Sequence, residues 1–213
     1  MSETPEILFD GPAHAERTVA MAHGAGVGMD SPFMQAFAEG LAGHGIRVAR
    51  FEFPYMAQRR QDGKKRPPNP EAKLKAYWRV VIEALGGPDG LVIGGKSMGG
   101  RMASMIAADL EAEATPVGGL VCLGYPFHPP GKPDRLRVAH LQTLVTPALI
   151  VQGTRDPFGT PDEVAGYGLP ESIAVHWAED GDHDLKPRKS SGRSAEENQA
   201  EAIAAVARFV EAL

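Results

Sequence analysis

A chain of 213 residues, 43% hydrophobic and 23% charged, has the size and make-up of one globular α/β domain, long enough to bury about 70% of its unfolded surface. Its 25 glycines and 18 prolines fall short of a low-complexity share, which excludes wholesale disorder. With 22 Lys and Arg against 27 Asp and Glu the net charge is −5, so there is no global cationic field and nucleic acid is not an expected partner. The single cysteine, Cys122, has no intramolecular partner for a disulfide. The first ten residues, MSETPEILFD, carry acids where a secretory signal is basic. No apolar run approaches the roughly 20 residues of a membrane helix. A cytoplasmic protein that does not enter membranes is expected.

Along the chain, short apolar runs alternate with helix-period segments, the pattern of a sheet built from crossover units. Strands are predicted at 6–9, 18–23, 46–53, 90–95, 118–124, 147–152 and 173–178, most of them apolar on both faces, as parallel strands covered by helices are. Ser31 and Pro32 give an N-cap and a first-turn proline to a helix carrying Phe33, Phe37 and Leu41. Residues 54–70 read as an irregular loop. Leu74, Tyr77, Trp78, Val81 and Leu85 stripe the next helix, and Met102, Met105, Ile106 and Leu110 stripe another. After a second irregular stretch, 125–133, a further helix is expected to open at Asp134 and to include His140. Ser194 and Glu197 form a capping box before a last helix with Ile203, Val206, Val210 and Leu213 on one face. Both irregular stretches follow strands, where the loops of an open parallel sheet surround the ligand crevice.

The sharpest motif is Gly95-Lys96-Ser97-Met98-Gly99, a G-x-S-x-G between an apolar strand and a helical run. A serine on such a tight turn projects its hydroxyl above the sheet, and the flanking glycines are needed where a side chain would collide. Residues 90–97 also satisfy the phosphate-loop pattern G-x-x-x-x-G-K-S. There, however, the four intervening residues are the strand itself, which leaves no backbone to curl around phosphates.

A nucleophilic serine needs a base and a carboxylate to orient it. His183, in the glycine-containing turn after the last strand, is the best placed of the seven histidines. Asp156 directly follows the penultimate strand; Asp180 and Asp182 stand too close in sequence to His183 to orient it from behind. His23-Gly24-Ala25-Gly26 ends an early strand and resembles the H-G-x-G loops that offer a backbone N–H to an oxyanion, the second donor being the N–H of Met98. Its spacing departs from a dinucleotide fingerprint, which wants glycine at 29, where Met29 stands.

On these pieces the sequence resembles the α/β-hydrolase superfamily, and within it small bacterial hydrolases related to dienelactone hydrolases and to the hydrolase-like domain of a chromatin acetyltransferase-complex subunit. The matching segments are HGAG at 23–26, GGKSMGGR at 94–101, GYPFHPPGKP at 124–133, GTRDPFG at 153–159 and DGDHDLKPRKSSG at 180–192. The resemblance implies a three-layer α/β-hydrolase fold over 1–213, a Ser97–His183–Asp156 triad, and Ala25 with Met98 at the oxyanion hole. About 20 residues separate the 118–124 strand from Pro147, too few for a cap domain.

The expected activity is cofactor-free and metal-free hydrolysis of a small ester, thioester or lactone. The alternatives are a catalytically silent binding module on the same fold, or a triad that cleaves carbon–carbon or peptide bonds. His23, Gly24, His128, Lys96 and Arg59 are the candidates for lining the substrate pocket. Arg59, Arg60, Lys64, Lys65 and Arg66, with Lys96 and Arg101 near the elbow, read either as a solvated surface or as attraction for an anionic substrate.

Overall fold

In the computed structural model, which describes residues 4–213, seven strands form one sheet. Residues 1–3, the head of the acid-bearing N-terminus, lie outside the described residues. The strands are β1 (Ile7–Asp10), β2 (Thr18–Ala22), β3 (Arg47–Phe51), β4 (Val92–Lys96), β5 (Gly119–Leu123), β6 (Ala148–Gly153) and β7 (Ile173–Ala178). Their order across the sheet is β1-β3-β2-β4-β5-β6-β7, with β1 antiparallel to β3 and every other neighbouring pair parallel.

Helices cover both faces because the strands are apolar on both. Helices α1 (Pro32–Gly43) and α6 (Ala195–Glu211) pack Met34, Phe37, Leu41, Val206 and Val210 on one side. Helix α2 (Pro54–Asp62) stands at the end of β3, while α3 (Glu71–Ala84) and α4 (Met98–Ala112) pack Trp78, Val81, Met102 and Ile106 on the other side. The alternation is explicit in β2, where Val19 and Met21 join the first core and Ala20 and Ala22 the second. A short α5 (Pro161–Ala165), begun by a capping box at Thr160 and Glu163, follows β6. No cap domain interrupts the layers, and no described helix is long and apolar enough to cross a membrane.

Two sequence expectations need correction. The stretch 54–70 is not irregular throughout, since α2 occupies 54–62. Pro54 starts it, Gly63 in the left-handed conformation ends it, and Arg59 and Arg60 sit in its last turn, where the helix dipole favours cations. Only Tyr55 and Met56 are buried, so it lacks the apolar stripe by which a helix is read. Conversely, no helix opens at Asp134. Residues 134–144 form successive turns in which Val138, Leu141 and Leu144 are buried, three residues apart, and Leu141 N–H and Leu144 N–H donate to the carbonyls three residues before them.

The chain runs from β2 to β3 on one side and then crosses to β4 on the other. That reversal opens a crevice at the carboxyl ends of β2 and β4, where the loop after Ala22 and the turn at Ser97 face each other.

Candidate active site

Ser97 joins β4 to α4 with φ 52° and ψ −115°, a conformation that costs a non-glycine residue about 1–3 kcal/mol. The turn is possible because its neighbours lack side chains. A Cβ on Gly95 would lie 2.2 Å from the Ala22 carbonyl oxygen, and one on Gly99 2.4 Å from that same oxygen. Gly99→Ala is therefore expected to lower stability by about 1–3 kcal/mol, since the obstruction is strand backbone with nowhere to go. Urea unfolding midpoints test this, and an unchanged midpoint would contradict the packing argument.

Three side chains from three loops meet above the sheet. The Ser97 Oγ lies 2.9 Å from His183 Nε2, and His183 Nδ1 lies 2.8 Å from Asp156 Oδ2. Asp156 is fully buried, and its two oxygens accept from Gln152 Nε2 at 3.0 Å and from the Phe158 N–H at 2.9 Å. A carboxylate surrounded by donors takes a third from His183, so Nδ1 carries the proton and Nε2 is free to accept from Ser97. The Phe158 ring, 4.3 Å from the imidazole centroid, limits how far the imidazole can swing.

The loops bearing Asp156 and His183 are laced together. Thr154 N–H donates to the Ala178 carbonyl, and Arg155 donates through its backbone N–H to Gly181 and through Nε to Asp180. Asn198, fully buried on α6, donates to the carbonyls of Glu179 and Leu185 on either side of His183. Its role is not evident from motifs, although an asparagine in register with buried Ala202, Ala205 and Val206 is a readable signal. Asn198→Ala leaves the buried Leu185 carbonyl and the half-buried Glu179 carbonyl without this donor, with an expected loss of about 1–3 kcal/mol in chemical unfolding; a loss below a few tenths would contradict this.

The other acids near the base are engaged elsewhere. The Arg188 guanidinium holds the Asp180 carboxyl down at about 2, and Asp182 accepts the N–H groups of Asp184 and Lys186 within its own turn. Because the folded-state value of Asp180 is depressed, the order it gives the 180–188 loop is complete above the ordinary carboxylate range. That order is lost as pH falls towards 2. The protection of this loop's amides against hydrogen exchange, taken relative to the intrinsic rate at each pH, should therefore fall at low pH in the native protein and not in Asp180→Asn.

The early loop abuts the nucleophile, a Cβ on Gly24 lying 3.9 Å from the Ser97 Cβ. His23 is fully buried: its Nδ1 donates to the Gly24 carbonyl at 2.6 Å and its Nε2 accepts the Phe53 N–H at 3.1 Å. Burial pushes the His23 imidazole below its usual range, in keeping with the neutral tautomer these bonds require. Tyr55 Oη donates to the Ala25 carbonyl at 3.0 Å, and Arg59 Nη1 donates to the Gly26 carbonyl at 3.0 Å. In a trans peptide the N–H opposes the carbonyl, so drawing the Gly24 carbonyl toward His23 turns the Ala25 N–H the opposite way. The Met98 N–H belongs to the first turn of α4, whose N–H groups have no intrahelical partner.

Several expected pocket residues are placed differently. His23 braces the loop from beneath. His128 is 3% exposed, with Nδ1 donating to the Pro129 carbonyl, Nε2 facing Glu163 at 3.5 Å and its backbone N–H donating to the Phe158 carbonyl, so it supports the Asp156 loop. Lys96 is buried, with its ammonium on the His183 carbonyl and near Asp184. Arg60 is held by Glu52 and Asp30, Arg66 by Asp62, and Arg101 by Glu71, so these cations already have carboxylate partners within the fold. Gly24 lies against Ser97, and Arg59 sits on the wall of a cavity of about 380 Å³ together with Val27, Glu52, Met56 and Arg60.

A second serine–histidine pair lies nearby, Ser104 Oγ being 2.8 Å from His140 Nε2. Ser104 is fully buried within α4, and its hydroxyl donates to the Arg101 carbonyl. Burial and the Arg101 charge lower the His140 imidazole to about 4. No carboxylate stands hydrogen-bonded behind His140 among the described contacts, and the pair braces α4 against Tyr125 Oη. Its hydroxyl has no access to a substrate.

A family model for the alpha/beta hydrolase domain matches residues 15–211. Among solved structures, the chain is similar to a dienelactone hydrolase from Anabaena variabilis, with 22% identity, TM-score 0.67, and coverage of 98% of this chain and 97% of that one. It is also similar to a monoacylglycerol lipase from Paleococcus ferrophilus, with 14% identity, TM-score 0.70, and coverage of 96% and 99%. XC6422 from Xanthomonas campestris, described as an α/β serine hydrolase without lid, aligns at 16% identity and TM-score 0.64 over 95% and 88%. With the family model spanning nearly the whole chain and the same fold in each of these structures, the chain belongs to the alpha/beta hydrolase domain family.

Proposed function

We propose that the protein is a serine hydrolase that opens a small ester, thioester or lactone through an acyl-enzyme. The observation that carries this reading is the continuous hydrogen-bonded line from Ser97 Oγ through His183 to Asp156, on a strained elbow beside a glycine loop. Ser97 Oγ attacks the carbonyl carbon as His183 Nε2 takes its proton, and Asp156 holds the resulting imidazolium. The oxyanion is received by the N–H groups of Ala25 and Met98. Collapse expels the alcohol or thiol with the proton from His183. Water, activated by the same imidazole, then releases the acid and frees Ser97. The cavity lined by Gly26, Val27, Met56 and Arg59 begins one residue beyond Ala25 in the oxyanion loop and is the recess this reading assigns to the substrate's flanks.

Intact-mass analysis with a fluorophosphonate probe tests the reading. One adduct is expected on the native protein, with none on Ser97→Ala and strongly slowed formation on His183→Ala, accompanied by turnover of short p-nitrophenyl esters. A folded native protein that takes no adduct would point instead to a binding module on a hydrolase fold.

In this reading Tyr55 acts through the oxyanion loop. Tyr55→Phe is expected to lower kcat about three- to tenfold with KM nearly unchanged, because the loop's donors serve the transition state more than the ground state. A raised KM at constant kcat would assign Tyr55 to substrate binding.

A further inference from the structure

Lys96 immediately precedes the nucleophile, yet it is only 6% exposed and its charge faces the protein. Its stem passes the Phe33 ring, with the ammonium 5.0 Å from the ring centroid. Nζ donates to the backbone carbonyl of His183 and lies 3.3 Å from Asp184 Oδ1. Burial lowers the ammonium from its ordinary value while Asp184 opposes that shift, so the site carries a desolvation cost that an apolar side chain of similar length avoids. What the cation supplies in return is a bond to the one residue whose height above Ser97 decides proton transfer.

The surroundings leave that residue little room. At Gly124, which has φ +66°, a Cβ would lie 2.9 Å from both Lys96 Nζ and the His183 carbonyl oxygen, and 3.2 Å from His183 Cε1. The residue after β5 thus has no room for a side chain beside the base, while Lys96 bonds the base's carbonyl from the strand that carries the nucleophile. The bonds that Asp182 accepts shape the loop internally, and Asn198 holds its flanks at Glu179 and Leu185. Lys96 acts on His183 itself.

We infer that Lys96 is a positioning residue that ties the His183 backbone to the nucleophile's strand and so sets base and nucleophile in register as one unit. This rests on the Ser97–His183 reading above. The charged groups around His183 are Asp156 from the loop after β6, Lys96 from β4, and Asp182 and Asp184 in its own loop. Removing the ammonium frees the His183 carbonyl from β4, and a side chain that merely fills the space does not replace that bond.

The test compares Lys96→Met and Lys96→Arg with the native protein, on material whose Ser97 takes the fluorophosphonate. In Lys96→Met, kcat is expected to fall about 10- to 100-fold with KM within about twofold, as for a small displacement of a catalytic group. Lys96→Arg, which keeps the cation and a donor for the His183 carbonyl, should restore much of the lost kcat, again with KM unchanged. If the Met variant does not fold, Lys96→Gln, with a shorter neutral stem, carries the same readouts. A folded Met or Gln variant with native kcat, or a Lys96→Arg variant no faster than Lys96→Met, would overturn the role of Lys96. A native protein that takes no adduct would overturn the serine-hydrolase reading, and the positioning role with it.

Discussion

Ser97→Ala is expected to lower kcat about 10⁴- to 10⁶-fold and to erase the fluorophosphonate adduct, because residues acting as one nucleophilic unit lose nearly everything when one is removed. The competing pair provides the control. Ser104→Ala removes a hydroxyl that is fully buried and donates to the Arg101 carbonyl, so activity should stay within about threefold while the helix loses about 1 kcal/mol of hydrogen bonding. Both pairs have a serine oxygen within 2.9 Å of an imidazole, so distance alone does not separate them. What does is the buried Asp156 behind His183, the strained φ at Ser97, and the low value of His140, whose own surroundings disfavour its protonated form. Ester turnover by both variants under burst conditions decides the matter. Retention of more than a tenth of native turnover in Ser97→Ala, or a collapse in Ser104→Ala, would overturn the assignment.

Most of this arrangement is written in local patterns. The predicted strands lie within two residues of β1–β7 because each is a short apolar run between glycine- or proline-marked turns; parallel pairing requires crossover connections but does not dictate the strand order. The Ser97 elbow, the Asp156 turn and the His183 loop each follow a strand, so one topological rule places all three at the same edge. Helix α2 was hidden because QRRQ gives it no apolar stripe; its stability comes from end signals and from Arg60 bonding to Glu52. The partners of the cations are illegible for a related reason. Lys96 and Arg60 find their carboxylate or carbonyl partners at 183–184, 30 and 52, and nothing in a linear sequence says which acid a distant base will meet. His23 and His128 likewise share motifs with the site but spend their ring nitrogens on backbone and on Glu163.

Asp156→Asn puts the orienting role to a sharper test than truncation, since it keeps shape and volume while changing one acceptor into a donor. The native carboxylate accepts at both oxygens, from His183 Nδ1 and Gln152 Nε2 at Oδ2 and from the Phe158 N–H at Oδ1. An amide has only one oxygen to offer. If its NH₂ turns toward His183, Gln152 Nε2 loses one acceptor but keeps the Tyr125 and Gly159 carbonyls, and the imidazole must present a bare Nδ1 and carry its proton on Nε2, where it can no longer accept from Ser97. If the NH₂ turns toward Phe158, two N–H groups oppose each other in a fully buried space, at a cost of about 1–3 kcal/mol. The first arrangement costs catalysis and the second costs stability, so the variant is expected to show a kcat about 10⁴-fold lower, or a measurable fall in unfolding free energy, or a share of each. KM should change little, because Asp156 touches no substrate. Combined kinetics and urea unfolding therefore read one energy divided between two outcomes. A variant within tenfold of native kcat and within a few tenths of a kcal/mol in stability would remove Asp156 from the chemistry.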